Sequence, residues 1–552
     1  MNAEQASKRL TQEPARRVIG MAAADGTVRA NEFHQTCRGN GDGKYAKLTS
    51  SNTGSPSGDR LGDQLAPRES QAGPHGVAER PVRAKKPGNA GRAKGPQLKG
   101  NARSDEDGGI GVSLSTPESV QKLQTALHDK AKEAPNSRFY ALYDKVYRKD
   151  VLAFAYECCK ANGGAAGVDG QTFEVIEAYG KERWLDELAQ ELKNRTYQPL
   201  PVRRVYIPKP DGKQRPLGVP AIRDRAAEMA AVLVLEPIFE ADLQPEQYAY
   251  RKDRSALDAV RYVHKLINTG HEEIVDADLS SYFDTLPHSE LLKSVARRVV
   301  DRAMLHLIKM WLEAPVEETD ERGNKRRSTR NRDEGRGSPQ GSPISPLLSN
   351  LYMRRFVLGW KTLGHEKHLK AYIVNYADDL VICCRGKAEE ALGMMRNMML
   401  KLKLTVNDSK TRVCKLPEDK FDFLGYTFGR CYSPKTGRAH LGTKPSKKRV
   451  QRICKAISQE TGRNKTLLAQ ETIITTLNRM MIGWANYFCL GPVSSAYRAV
   501  ERHARKRLRQ WLCAKHKLRG QATKQFSITA LHQVLGLVEL TTRTSSFPWA
   551  TS

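Results

Sequence analysis

Apolar residues fall into no sustained period of 2 or 3.6 from the N-terminus to about residue 115. Stretches such as "SSNTGSPSGDRLGD" are built from Gly, Ser, Asn, Pro and charge, and they read as disordered or tethering sequence. Regular spacing begins in "TPESVQKLQTALHDKAKE", where Val120, Leu123 and Leu127 share one helical face behind a start at Thr116, Pro117 and Glu118. "SRFYALYDKVYRKDVLAFAYECCKANGG" predicts a second helix, closed by Asn162, Gly163 and Gly164. Residues 197–222 have the pattern of a hairpin: β-prone "RRVYI", a turn at "PKPDGK", and a return. A helix follows in "DRAAEMAAVLVLEPIFE", and "EEIVDADLSSYFDTL" is a strand running toward a helix start near Pro287. "VNYADDLVICC" is β-prone on both sides of an aspartate pair. Beyond it the chain turns basic and helical to about residue 519. The polar stretch "NKRRSTRNRDEGR" reads as a mobile loop, with template contact as the lesser reading. The pattern predicts an α+β first part and an all-α second part.

Charge changes this picture. The 552 residues carry a formal net charge of +30, and the stretch from Arg430 to Gly520 holds 21 Lys or Arg against 3 Glu. That segment alone contributes +18, a field that favours a polyanion, with nucleic acid the first candidate. Ten cysteines show no C-x-x-C spacing, so buried thiols in a reducing compartment are expected rather than zinc or disulfides. No apolar run reaches the roughly 18 residues of a membrane span, and the N-terminus lacks a secretory pattern. A cytoplasmic, bacterial, nucleoid-associated protein is the expectation.

Candidate chemistry centres on aspartates. Asp276 and Asp278 share a strand face because side chains repeat every two residues. Asp278 ends its strand, and Asp378 and Asp379 lie at a turn about a hundred residues on. Together they could converge on two magnesium ions that clamp the attacking and leaving oxygens of a phosphoryl transfer. Each also has a plainer reading: Asp378–Asp379 as an ordinary hairpin turn, Asp278 as a helix N-cap.

Order and context favour the first reading. "NYADDLVI" resembles the active-site hairpin of reverse transcriptases, and "DADLSSYFD" resembles their first catalytic-aspartate block. "RRVYIPKPDGKQRPLGVP", "YAYRKDRSALDAV", "RGSPQGSPISPLLSNLYM", "LTVNDSKTRV" and "FDFLGYTF" are similar to the family's other blocks and follow in its order. "LNRMMIGWANYF", a basic helix and "WLCAKH" resemble the maturase domain of group II intron-encoded proteins. The resemblance spans roughly residues 120 to 545. It implies a right-hand polymerase with fingers, an antiparallel palm sheet and a helical thumb, followed by an all-α maturase domain. The expected division is a tether at 1–115, fingers and palm at 116–430, thumb helices at 431–475 and a maturase domain at 476–552.

The same resemblance implies roles. Asp278 and Asp378 would be the principal Mg²⁺ ligands, supported by Asp379. Phe283 would be the steric gate favouring deoxynucleotides, and a core aromatic is its plainer reading. Lys209 and Arg215 would grip the incoming dNTP triphosphate, a use that suits a long cation and a guanidinium. Gln340 would line the nucleotide pocket, Lys410 would lie near the active site, and Phe423 to Tyr426 would form a primer grip. Ser280 and Ser281, Ser409 and Pro287 depart from the family's usual residues without removing a ligand. In the basic tail, Arg502, Arg505, Arg507 and Arg509 would contact RNA while Trp484 and Trp511 fill a helical core. Implied partners are group II intron RNA, an RNA template, a DNA primer and target DNA; no membrane is expected and a homodimer stays open. The absence of paired cysteines implies no endonuclease module. The alternatives are a splicing cofactor with a silent polymerase fold and a reverse transcriptase recruited to another role, such as defence.

Overall fold

The computed structural model describes residues 114–208, 214–320, 322–433, 436–518 and 525–546. Almost all of the expected tether, and Lys209, lie outside the described residues. Helix Glu118–Glu133 buries Val120 and Leu127, as its spacing predicts. It packs on helix Ile222–Glu240, which is buried on nearly every side and therefore shows no polar face in the sequence. Two of the buried polar side chains on this helix find partners. Asp224 accepts from the Tyr197 hydroxyl at 2.7 Å and the Leu200 amide at 3.0 Å, and Arg225 donates to the Ala165 carbonyl at 2.8 Å.

Strands β1 (Val202–Pro208) and β2 (Gln214–Val219) form the predicted hairpin, with Ile207 opposite Arg215. Strand β3 is Glu273–Asp278. The stretch expected to be a mobile loop is ordered. Strand β4 (Val316–Thr319) pairs in parallel with β1, and β5 (Lys325–Ser328) pairs antiparallel with β4, giving the sheet order β2-β1-β4-β5. Glu317, 3% exposed, lies between Arg327 at 2.9 Å and Lys325 at 3.3 Å, and Asn331 ties the segment to the Leu312 and Ala314 carbonyls. The residues of β5 are all exposed, so no alternation announced the strand.

A second sheet carries the aspartates. Strands β6 (Ala371–Tyr376), β7 (Asp379–Cys384) and β8 (Arg412–Lys415) join β3 in the antiparallel order β6-β7-β3-β8. Alternate side chains enter different cores. Val275, Ala277, Leu380 and Ile382 pack with helix Ala388–Lys401, whereas Ile274, Val374, Val381 and Cys383 pack with helix Ala256–Asn268. Burial of both faces explains the unbroken apolar run after Asp379, and it sends the adjacent thiols of Cys383 and Cys384 into opposite cores.

Strands β9 (Phe421–Phe423), β10 (Tyr426–Tyr432) and β11 (Ala439–Pro445) make a third, antiparallel sheet. The basic stretch from 431 was expected to be helical, but it completes this sheet first because Tyr426 through Tyr432 pair along β11. Helices Lys447–Glu460, Gln470–Tyr487 and Ser494–Lys515 follow, with no strand after β11 among the described residues. Helix Gln470–Tyr487 runs unbroken across residue 476. Trp511 is buried, and Trp484 packs against Phe488 and Tyr497. A tyrosine clasp joins this part to the third sheet. The Tyr426 hydroxyl donates to the Tyr487 carbonyl at 2.5 Å, and the Tyr487 hydroxyl donates back to the Leu424 carbonyl at 2.8 Å. No described helix is long and apolar enough to cross a membrane.

Candidate active site

The aspartates meet through strand register. Asp278, the last residue of β3, stands directly opposite Asp379, the first of β7. Ala377 and Asp378 form the two-residue turn between β6 and β7, and Asp378 is exposed. Ala377 has φ +57, a left-handed value that two-residue hairpin turns demand and that glycine usually supplies. Asn375 holds it there: its side-chain amide donates to the Ala377 carbonyl at 2.9 Å, while its backbone bonds Glu246 and Tyr248.

A cation already faces Asp278. Lys410 Nζ lies 2.9 Å from Asp278 Oδ2, and the Asn407 side-chain amide donates to the same oxygen at 3.0 Å. The Asn407 amide also bonds the Asp278 carbonyl at 2.8 Å. Asn407 was missed in the sequence; its place three residues before Lys410, in the same turn, is the signal that was available. Asp276 lies on the same strand face, its Oδ2 3.5 Å from Arg412 Nε. Burial pushes its carboxyl up to about 6 against the pull of Arg412. A cleft of about 300 Å³ opens beside the rim, lined by Asp278, Asp379 and Lys410 on one part and by Asp422, Gly425 and Arg449 on another. The Phe423–Tyr426 turn, expected to grip a primer, forms part of that wall.

Carboxylate oxygens are the donors that hard divalent cations prefer. Among the described residues, however, no three His, Cys, Asp or Glu side chains stand close enough together to hold a metal ion. The donor type fits Mg²⁺, while the charge that balances Asp278 here is that of Lys410.

A second group assembles around the loop from Gly337 to Ser345. Arg215 Nε donates to Gln340 Oε1 at 2.9 Å, and the Gln340 side-chain amide reaches Asp284 at 3.5 Å. The Gly218 amide donates to the Gln340 carbonyl at 2.9 Å. Phe283 is 7% exposed on the short helix Tyr282–Thr285, packed edge-on to Tyr282, and its carbonyl accepts from the Ser338 amide at 2.8 Å. The structure thus brings Arg215, Gln340 and the backbone of Phe283 onto one loop. Next to Gln340, Gly341 lets the loop approach the Gly218 carbonyl of β2 closely.

The four tail arginines do not share one face. Arg502 is exposed. Arg505 lies 3.5 Å from His532, and Arg509 donates to the Phe526 carbonyl at 2.6 Å. Arg507 is turned into the helical core, donating to Thr461 Oγ1, the Ser458 and Thr461 carbonyls and Gln510 at 2.9–3.1 Å.

Residues 207–428 match the family described as reverse transcriptase (RNA-dependent DNA polymerase), and residues 450–526 match the group II intron maturase-specific domain. The chain is 32% identical over 390 residues to protein YkfC of Escherichia coli (strain K12), covering 62% of this chain and 94% of that protein. It is 31% identical over 350 residues to the group II intron-encoded protein LtrA of Lactococcus lactis subsp. cremoris, covering 52% and 56% of the two chains. Its identity to the putative COX1/OXI3 intron 1 protein of Saccharomyces cerevisiae is 25% over 378 residues, covering 59% and 44%. The chain therefore spans about half the length of these last two relatives. A reverse-transcriptase domain implies dependence on a divalent cation, which the oxygen donors at the β3–β7 rim suit. The aspartate rim lies inside the first match and the basic helices inside the second, and the chain belongs to the group II intron-encoded reverse transcriptases, RNA-directed DNA polymerases that carry a maturase domain.

Proposed function

We propose that the chain copies RNA into DNA at the β3–β7 rim and that its helical tail binds the intron RNA, assisting splicing and mobility. The sheet β2-β1-β4-β5 serves as fingers, the sheet β6-β7-β3-β8 as palm and the first helices after β11 as thumb, in a right-hand arrangement. Asp278 and Asp378 would hold two Mg²⁺ ions with support from Asp379. Such ions, when bound, supply the positive charge that stabilises the attacking and leaving oxygens of nucleotidyl transfer. Arg215, with Lys209, binds the triphosphate; Gln340 orients Arg215; Phe283 excludes a ribose 2′-hydroxyl. Lys410 neutralises Asp278 until substrate and metal arrive.

The observation that carries this reading is the register that sets Asp278 opposite Asp379 beside the exposed Asp378. The exposed basic residues of Ser494–Lys515 support RNA binding. One observation favours the silent-polymerase alternative: the ion pair of Lys410 with Asp278. Primer extension on an RNA template separates the two. Mg²⁺-dependent cDNA synthesis is expected, falling by roughly a thousandfold or more in Asp378→Ala. A wild-type protein that promotes splicing of its intron but makes no cDNA would leave only the splicing-cofactor reading.

A further inference from the structure

Glu228 is a buried carboxyl that the polymerase reading does not use. It sits on helix Ile222–Glu240, 3% exposed, and accepts a hydrogen bond from the Ser342 hydroxyl across more than a hundred positions of sequence. The Ile344 amide also faces it. Asp224, Arg225, Tyr197 and Cys159 surround it. Arg225 donates to the Gly163 and Ala165 carbonyls and forms no ion pair with it.

Ser342 belongs to the loop that organises the nucleotide side of the site. One arm of that loop is tied down by Gly337 on the Leu286 carbonyl and Ser338 on the Phe283 carbonyl, at 2.9 and 2.8 Å. Its tip is tied to β2 through Gln340. On the other arm, the Ser342 hydroxyl makes the side-chain tie into Ile222–Glu240, and the Ser338 and Ser345 hydroxyls close the loop on itself at 2.6 Å.

We propose that Glu228 is a positioning residue of the nucleotide pocket: by holding Ser342 it fixes the loop that sets Gln340 against Arg215 and Ser338 against Phe283. Triphosphate grip and sugar discrimination are then adjusted by one buried contact that touches no substrate. The proposal deepens the polymerase reading and rests on it. Burial pushes the carboxyl up to about 8, so at neutral pH it is largely uncharged and a glutamine amide can replace it.

The test is steady-state incorporation of dTTP and UTP on an RNA template with a DNA primer. It compares wild type, Glu228→Gln, Glu228→Ala, Ser342→Ala and the Glu228→Ala/Ser342→Ala double variant. Glu228→Gln should keep the dTTP KM within about twofold of wild type, whereas Glu228→Ala and Ser342→Ala should each raise it about tenfold with kcat changed by less than about threefold. Both alanine variants should narrow the dTTP-over-UTP preference, and the double variant should match either single one, because the two residues act through one contact. Effects that multiply in the double variant overturn the proposal, as does a fall in kcat with KM and sugar preference unchanged. Should Glu228→Ala fail to fold, Ser342→Ala decides alone by the same readouts. Wild-type synthesis lost in Asp378→Ala establishes the polymerase reading separately, and a wild type that incorporates nothing overturns both.

Discussion

Replacing Gly341 with alanine should damage nucleotide binding without touching a charged group. Gly341 has φ +133, and a methyl at its Cα would stand 2.3 Å from the Gly218 carbonyl oxygen, where ordinary contact begins near 3.4 Å. The loop or β2 must therefore retreat by about 1 Å. The same strand residue donates its amide to the Gln340 carbonyl at 2.9 Å, and a retreat of about 1 Å carries that pair past hydrogen-bond range. Losing one semi-buried backbone bond costs about 1–2 kcal/mol. An alanine held at that φ adds about 1–2 kcal/mol of strain. The sum of about 2–4 kcal/mol, or its relief by moving Gln340 off Arg215, predicts a fall of roughly 30- to 900-fold in kcat/KM for dNTP. Single-nucleotide primer extension with dNTP titration measures it, with thermal melting as a control for the fold. A kcat/KM within about threefold of wild type would refute the reasoning, because the loop could then shift without losing the pocket.

Two further outcomes follow from the tail and from the buried acid. Arg507→Ala should lower stability by about 2 kcal/mol through four lost hydrogen bonds, whereas Arg502→Ala should leave melting unchanged and reduce RNA affinity and its salt slope by about one phosphate contact; equal RNA losses with equal melting temperatures would contradict the assignment. Glu228 makes stability fall with rising pH. The folded chain keeps a proton up to about pH 8 that the unfolded chain releases near 4.5, so this group alone removes about 1.4 kcal/mol per pH unit between those limits and nothing further above them. Glu228→Gln should flatten that decline in denaturant unfolding between about pH 5 and 8, and parallel curves for the two proteins would refute it.

The sequence carried the elements well where burial is one- or two-sided and periodic. Helix Glu118–Glu133 and the β1–β2 hairpin declared themselves by spacing, and the run from Leu380 to Cys384 reads as a strand buried on both faces. The aspartate rim was legible as composition and order, but register was not. Only the pairing of β3 with β7 places Asp278 opposite Asp379, and pairing between residues a hundred positions apart leaves no local mark. Asn407 on Asp278 and Ser342 on Glu228 were invisible for the same reason. The strand β5 was missed because four exposed polar residues show no alternation, its place being set by Glu317 and the free edge of β4. Arg507 had a readable clue: it lies seven residues after Val500, three after Ala504 and four before Trp511, all buried. A dense row of arginines masked that spacing.

The tyrosine clasp gives the aspartate cleft and helix Gln470–Tyr487 a common lever. Tyr487 is the last residue of helix Gln470–Tyr487, and its hydroxyl holds Leu424, beside the glycine that lines the aspartate cleft. A ligand that prefers one tilt of that helix therefore prefers one placement of the turn at the cleft wall. On the proposed reading, linkage makes the preference run both ways: whatever factor bound intron RNA adds to the affinity for a primer end, the primer end must add to the affinity for the RNA.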